Sequence, residues 1–207
     1  EEEAASDLLQ ETLKLKLNTF EQARVKMELA DILLLQERFN AVLIYYSQIQ
    51  KLLPNDPIAQ EARFKVAKTS YFKGDFEWAK TQLKVLKSSA TQLIANDAQD
   101  LYLLITDNAV EDSTLVGLKA YARAELLQYQ NRDEEALAVF DSLLIIEKGK
   151  SIEDEALLAQ AILFEKKKNY AKAEENYLKI IQYHSDDILA DDAYYRLGHL
   201  YANVLQE

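Results

Sequence analysis

The sequence predicts an all-α protein, an α-solenoid of antiparallel helix hairpins with about ten to eleven helices in one array. Three observations carry that expectation. Breakers are scarce: the 207 residues include 4 Gly and 2 Pro, which favours helices joined by short loops. Strand-like alternation of Val, Ile and Thr is nearly absent. Most tellingly, one small-then-large pattern recurs at a fixed distance.

The stretch NYAKAEENYLKII shows the pattern. Ala173, Tyr177 and Ile180 stand at i, i+4 and i+7, so they share one helix face. Ala136 lies 37 residues before Ala173 and Ala79 another 57 back; two more steps of 37 reach Val42 and Ala5. Four places after each stand Leu9, Tyr46, Leu83, Phe140 and Tyr177. Seven places on stand Thr12, Ile49, Leu86, Leu143 and Ile180. A second small series, Ala30, Ala67, Ala124, Ala161 and Gly198, keeps the same spacings and the same interruption. Paired small residues let two antiparallel helices approach, and the large residues fill the space beside that contact. One hairpin cannot bury its apolar face alone, so neighbouring hairpins must stack.

The elements follow in order. Residues 1–17 read as the second helix of a partial repeat. Full repeats follow at 20–54 (helices 20–37 and 39–53) and 58–91 (helices 58–73 and 75–91). Residues 92–112 interrupt the period, and Ala98, Leu101, Leu104 and Ile105 predict one extra helix at 96–107, as a degenerate repeat or a packing insert. Repeats resume at 115–148 (helices 115–130 and 133–147) and 152–185 (helices 152–167 and 170–183). A half repeat at 188–207 closes the chain, with its helix at 188–205. Thr19 with Gln22 reads as a capping box opening the second helix. Pro57 suits a first turn, and Gly74 and Gly149 suit turns between helices. The chain starts EEEAASDLL, without Met or a leader, as a mature or excised segment would. The apolar face of Tyr194, Leu197, Tyr201 and Leu205 predicts that the natural protein continues, or that this face makes a dimer contact.

In this register the chain resembles the tetratricopeptide repeat (TPR) family. That family places small residues at its eighth and twentieth positions and large apolar ones at its eleventh, twenty-fourth and twenty-seventh. Leu33, Leu127, Phe164 and Tyr201 fill the eleventh, where Ser70 departs, and Pro54 falls at the thirty-second. The family Trp at the fourth position is replaced by Lys26, Arg63, Ala120, Leu157 and Tyr194, and a period of 37 exceeds the usual one. Loops such as PNDPIAQEA and SDDILADDA absorb the difference. The phrase ILADDAYYRLGHLY is similar to bacterial cell-envelope members, the outer-membrane-assembly lipoproteins and Tol-Pal coordinators. The resemblance implies a right-handed solenoid, a protein partner, and a periplasmic or outer-membrane-associated location, with a cytoplasmic one left open.

Composition narrows the function classes. The formal net charge of -11 argues against nucleic acid and anionic membrane surfaces as partners. No apolar run of about 18 residues predicts a transmembrane segment. With 0 Cys there is no disulfide or thiol chemistry. His184 and His199 lack the clustered ligands of a zinc site, and no phosphate loop, GxSxG, HExxH or EF-hand pattern occurs. The sequence therefore predicts no enzyme, cofactor or metal. The basic turns EKKKN and KGK read as charges complementing helix C-termini.

The expected function is a non-catalytic scaffold that binds a peptide or protein on a concave surface. The resemblance places groove side chains at the fifth repeat position: Met27, Phe64, Tyr121, Leu158 and Tyr195. The ninth and twelfth positions add Asp31, Lys68, Glu125 and His199, then Tyr71, Gln128 and Glu165. Aromatics there would anchor an extended or helical apolar ligand, or simply pack between helices. The alternative function is a structural module that self-associates into a homo-oligomer through its terminal faces.

Overall fold

The computed structural model describes residues 2–87, 92–111, 114–186 and 188–205. It is all-helical, with no strand among the described residues. The helices are α1 (Glu2–Thr12), α2 (Thr19–Leu35), α3 (Phe39–Leu52), α4 (Pro57–Phe72), α5 (Phe76–Leu86), α6 (Gln92–Glu111), α7 (Val116–Tyr129), α8 (Asp133–Ile146), α9 (Ile152–Lys166), α10 (Tyr170–Tyr183) and α11 (Ala190–Leu200). A π-helical turn, Tyr201–Leu205, continues α11.

The chain divides into two compact units, residues 1–106 and 107–207. In the first, α1 packs on α2, α2 on α3, α3 on α4 and α4 on α5. In the second, α7 packs on α8, α8 on α9, α9 on α10 and α10 on α11. Helices one hairpin apart also touch: α2 meets α4, and α7 meets α9. Consecutive packing through short turns is hairpin stacking, with α2, α4, α7, α9 and α11 as first helices.

The 37-residue pattern is the core. Ala30, Ala67, Ala124 and Ala161 are 0% exposed, as are Val42, Ala79, Ala136 and Ala173. Tyr46, Leu83, Phe140 and Tyr177 are 0% exposed beside them. Truncating one of these aromatics removes about 3–5 kcal/mol of packing. The two ends of the pattern depart from this: Ala5 and Leu9 of α1 are half-buried, and Gly198 is exposed, where a Cβ would meet nothing within 4 Å. Ser70, the departure at the eleventh position, is buried and donates to Val66 O at 2.9 Å.

The 57-residue interval is one period plus the 20 residues of α6. Its face of Ala98, Leu101, Ile105 and Asn108 is buried. The helix is longer than 96–107 at both ends, so the insert is one helix rather than a hairpin. Several boundaries also differ from the sequence reading. Helix α1 ends at Thr12 instead of 17, and α11 gives way to π-helix at Tyr201. The expected extension of α5 to 91 falls partly outside the described residues.

The capping box is one residue earlier than expected. Glu21 N–H donates to Asn18 Oδ1, and Asn18 N–H donates to Glu21 Oε2, each at 2.9 Å. Asn is at least as good an N-cap as Thr, and a carboxylate at N3 also meets the positive end of the helix dipole. Pro57 opens α4 as expected, after Asp56, whose carboxylate accepts from Ile58 N–H at 3.0 Å.

The turn inside each hairpin repeats with the same period. Glu37, Gly74, Asn131 and Lys168 all have positive φ, at 56°, 84°, 57° and 59°. Each is followed by a 6→1 bond: Arg38 N to Leu33 O, Asp75 N to Ser70 O, Arg132 N to Leu127 O, and Asn169 N to Phe164 O. The accompanying 5→2 bonds run from Glu37, Gly74, Asn131 and Lys168 to Leu34, Tyr71, Gln128 and Glu165. These are Schellman caps, and only one of the four uses the glycine that such a cap favours.

Candidate partner-binding face

Within the second unit the first helices carry the fifth, ninth and twelfth repeat positions on one face. Tyr195 is 74% exposed, next to Tyr194 at 56%. His199, one turn on from Tyr195, is exposed too. Leu158 on α9 and Gln128 on α7 are half-buried. In the first unit Phe64 on α4 is likewise half-buried.

Three residues expected in an accessible groove lie in the core instead. Met27, Tyr71 and Tyr121 are 6%, 0% and 9% exposed. Repeat register fixes where a Cα sits, but a long side chain leans back over the preceding turn and finds its own partners. Tyr121 packs edge-on against Phe140 with centroids 5.8 Å apart. Tyr71 lies 5.6 Å from Phe76, and Lys68 Nζ stands 4.8 Å over its ring.

The acids on this face are held differently in the two units. In the first, Lys65 Nζ on α4 reaches Asp31 on α2, at 2.8 Å from Oδ1 and 2.6 Å from Oδ2. Glu61, one turn before Lys65, stands 3.5 Å from the same ammonium. The Tyr46 hydroxyl also donates to Asp31. In the second unit the Tyr177 hydroxyl donates to Glu165. Burial first, and then that hydrogen bond, hold the Tyr177 hydroxyl well above its ordinary pKa.

A second acidic group surrounds Tyr121. Burial raises its pKa well above the ordinary phenol value, and Glu125, Glu155 and Asp154 raise it further. Glu155 accepts from Asn108 Nδ2 at 3.3 Å, and Ser151 donates to Asn108 Oδ1 at 2.8 Å. Glu155 is half-buried, with its Oε2 atom shielded from solvent. Burial, and then the neighbouring Asp154 carboxyl, push Glu155 up to about 9, so it is protonated at neutral pH. Sequence reasoning placed Tyr121 and Glu125 on this face but missed Asp154 and Glu155. Aligning the repeats by their second position would have brought Glu61 and Glu155 together.

Among the described residues, no group of three or more His, Asp or Glu side chains is placed to hold a metal ion. Nor is any helix there long and apolar enough to cross a membrane. His184 Nε2 lies 3.6 Å from Glu153. The basic turn after α9 is used within the hairpin stack: Lys166 pairs with Asp133 at 2.7 Å, and Lys167 pairs with Glu134.

These features define a class, an all-helical, solenoid-like protein whose helices pack in sequence within each unit. Compared with known proteins, the chain matches no family model and no curated sequence.

Proposed function

We propose that this chain is a non-catalytic, TPR-like scaffold that binds a protein or peptide partner on its first-helix face. The observation that carries the reading is the exposure of Tyr195 at 74% beside exposed His199. A large amphipathic ring held out on a rigid helix offers contact area at low entropic cost, which is how aromatic anchors work at interfaces. A bacterial envelope setting rests on the resemblance of ILADDAYYRLGHLY alone.

Affinity capture from native extract tests the reading, with wild type beside a Tyr195→Ala, His199→Ala double variant matched in helicity. A partner held by the wild type and lost by the variant is the expected result. A partner held equally by both would remove this face from recognition.

One observation favours a second reading, self-association through the α11 face. Gly198 is open where its four counterparts are buried, and Ile188 and Tyr183, shortly before α11 in the chain, are 84% and 70% exposed. Light scattering over a concentration series separates the two, because this reading requires a mass that rises with concentration.

A further inference from the structure

The chain holds complete hairpins and two unlike halves of one. Helices α2, α4, α7 and α9 each pack with the second helix that follows them, α3, α5, α8 and α10. Helix α1 is a second helix and packs on α2, while α11 is a first helix and packs on α10. Both halves keep the repeat register. Ala5 and Leu9 stand where Ala136 and Phe140 stand in α8, and Gly198 stands where Ala161 stands in α9.

The positions that are buried inside each hairpin are open on these two helices. Ala30, Ala67, Ala124 and Ala161 are fully buried, whereas Gly198 is exposed with nothing within 4 Å of an added Cβ. Ala136 and Phe140 are fully buried in α8, whereas Ala5 and Leu9 are half-buried in α1. Tyr194, one turn before Gly198, and Leu8, next to Leu9, are exposed. One chain therefore offers a first-helix half on α11 and a second-helix half on α1. Neither complements itself, and each complements the other.

We propose that α11 of one copy packs against α1 of a second copy, completing a hairpin between chains. The occupant of the open α11 face is a second copy because this chain carries the missing half, in the register and small-then-large order of the hairpins it closes within itself. The joint continues that series of interfaces. Antiparallel packing sets Gly198 against Ala5, as the small residues of the two series are paired elsewhere. It also brings Tyr194, one turn before Gly198, beside Leu9, one turn after Ala5. The proposal rests on the self-association reading and names its partner and its geometry.

The joint is heterologous, since it brings two different surfaces together. A joined pair still presents one α1 and one α11, so growth continues until the ends close a ring or an open chain forms. Each copy carries a formal net charge of -11, so copies repel and the joint strengthens as salt screens that repulsion.

Cysteine cross-linking tests the joint cleanly, because the chain has 0 Cys of its own. Ala5→Cys and Gly198→Cys are made as separate whole chains and oxidised alone and as a mixture. The mixture should form a disulfide-linked dimer, which requires the two Cα atoms to come close. Either variant alone should not, nor should Ala5→Cys mixed with Ala171→Cys, an exposed position on α10. Light scattering over a concentration series checks the same joint without cysteines. Gly198→Leu blocks the approach of the second copy while its Cβ meets nothing within its own chain, so helicity should be kept. It should need at least about tenfold more protein to reach the wild-type mass. Gly198→Ala keeps a small residue and should associate as wild type does. Cross-linking of one variant alone as efficiently as the mixture would show like faces meeting and overturn the proposal, as would no cross-link in the mixture. If the mixture fails while the wild-type mass still rises with concentration, the joint is wrong and self-association stands on another surface. A wild-type mass that stays constant overturns both.

Discussion

The first-helix faces of the two units differ more in chemistry than in architecture. Around Lys65 an ammonium on one helix neutralises a carboxylate on the next, and both side chains are 27% exposed. Around Ala159 the same backbone positions bring acids together without that lysine. Repeat proteins keep the residues that join helices and vary those that face outward. In the first unit the acid is neutralised by an ammonium; in the second, burial and the neighbouring Asp154 carboxyl keep Glu155 protonated instead.

The largest expected effect breaks the packing beneath the second face. Phe140→Ala should cost about 3–5 kcal/mol in urea denaturation, since Phe140 is fully buried and supports Tyr121. Removing the cation from the first face tests the other half of the comparison. Lys65→Met should cost about 1.5–3 kcal/mol at pH 7, the range for hydrogen bonds to charged groups, because Asp31 loses both contacts with the ammonium and keeps only the Tyr46 hydroxyl. In 1 M salt the cost should shrink, as the pair is partly exposed.

The pH dependence sharpens the contrast. Glu155 has a folded pKa raised to about 9, against about 4.3 for an unperturbed Glu. The unfolded chain loses this proton first, so its contribution is full below about pH 4.3 and is lost as pH rises towards 9. Glu155→Gln should flatten the stability profile across that window, measured by denaturation at successive pH values. The smallest effect concerns the turns. Glu37→Gly and Lys168→Gly should each stabilise by about 1 kcal/mol, because both positions hold an L residue in the left-handed region. Thermal unfolding reads this directly, and an unchanged midpoint would show that the cap bonds fully offset the strain.

What the sequence revealed follows from the same physics. Small residues at fixed spacing leave little choice of packing partner, so Ala30 through Ala161 announced the hairpins, and the insert appeared as a break in phase. The caps at Glu37 and Lys168 were illegible because neither residue favours positive φ; the hydrogen bonds around them impose it. Tyr121 and Tyr71 were assigned to the right helix face but to the wrong depth, since depth depends on Phe140 and Phe76, which belong to the second helix of each hairpin. The acid pair at Asp154 and Glu155 reads as a solvated helix start until α7 is placed beside it.

The most direct test of the contrast is carboxyl NMR titration of Glu155 in the wild type and in Ala159→Lys. The added ammonium would stand one turn after Glu155, as Lys65 stands one turn after Glu61. The account predicts a midpoint near 9 in the wild type and a large downward shift in the variant. A wild-type midpoint in the ordinary carboxylate range, unmoved by the added lysine, would contradict it.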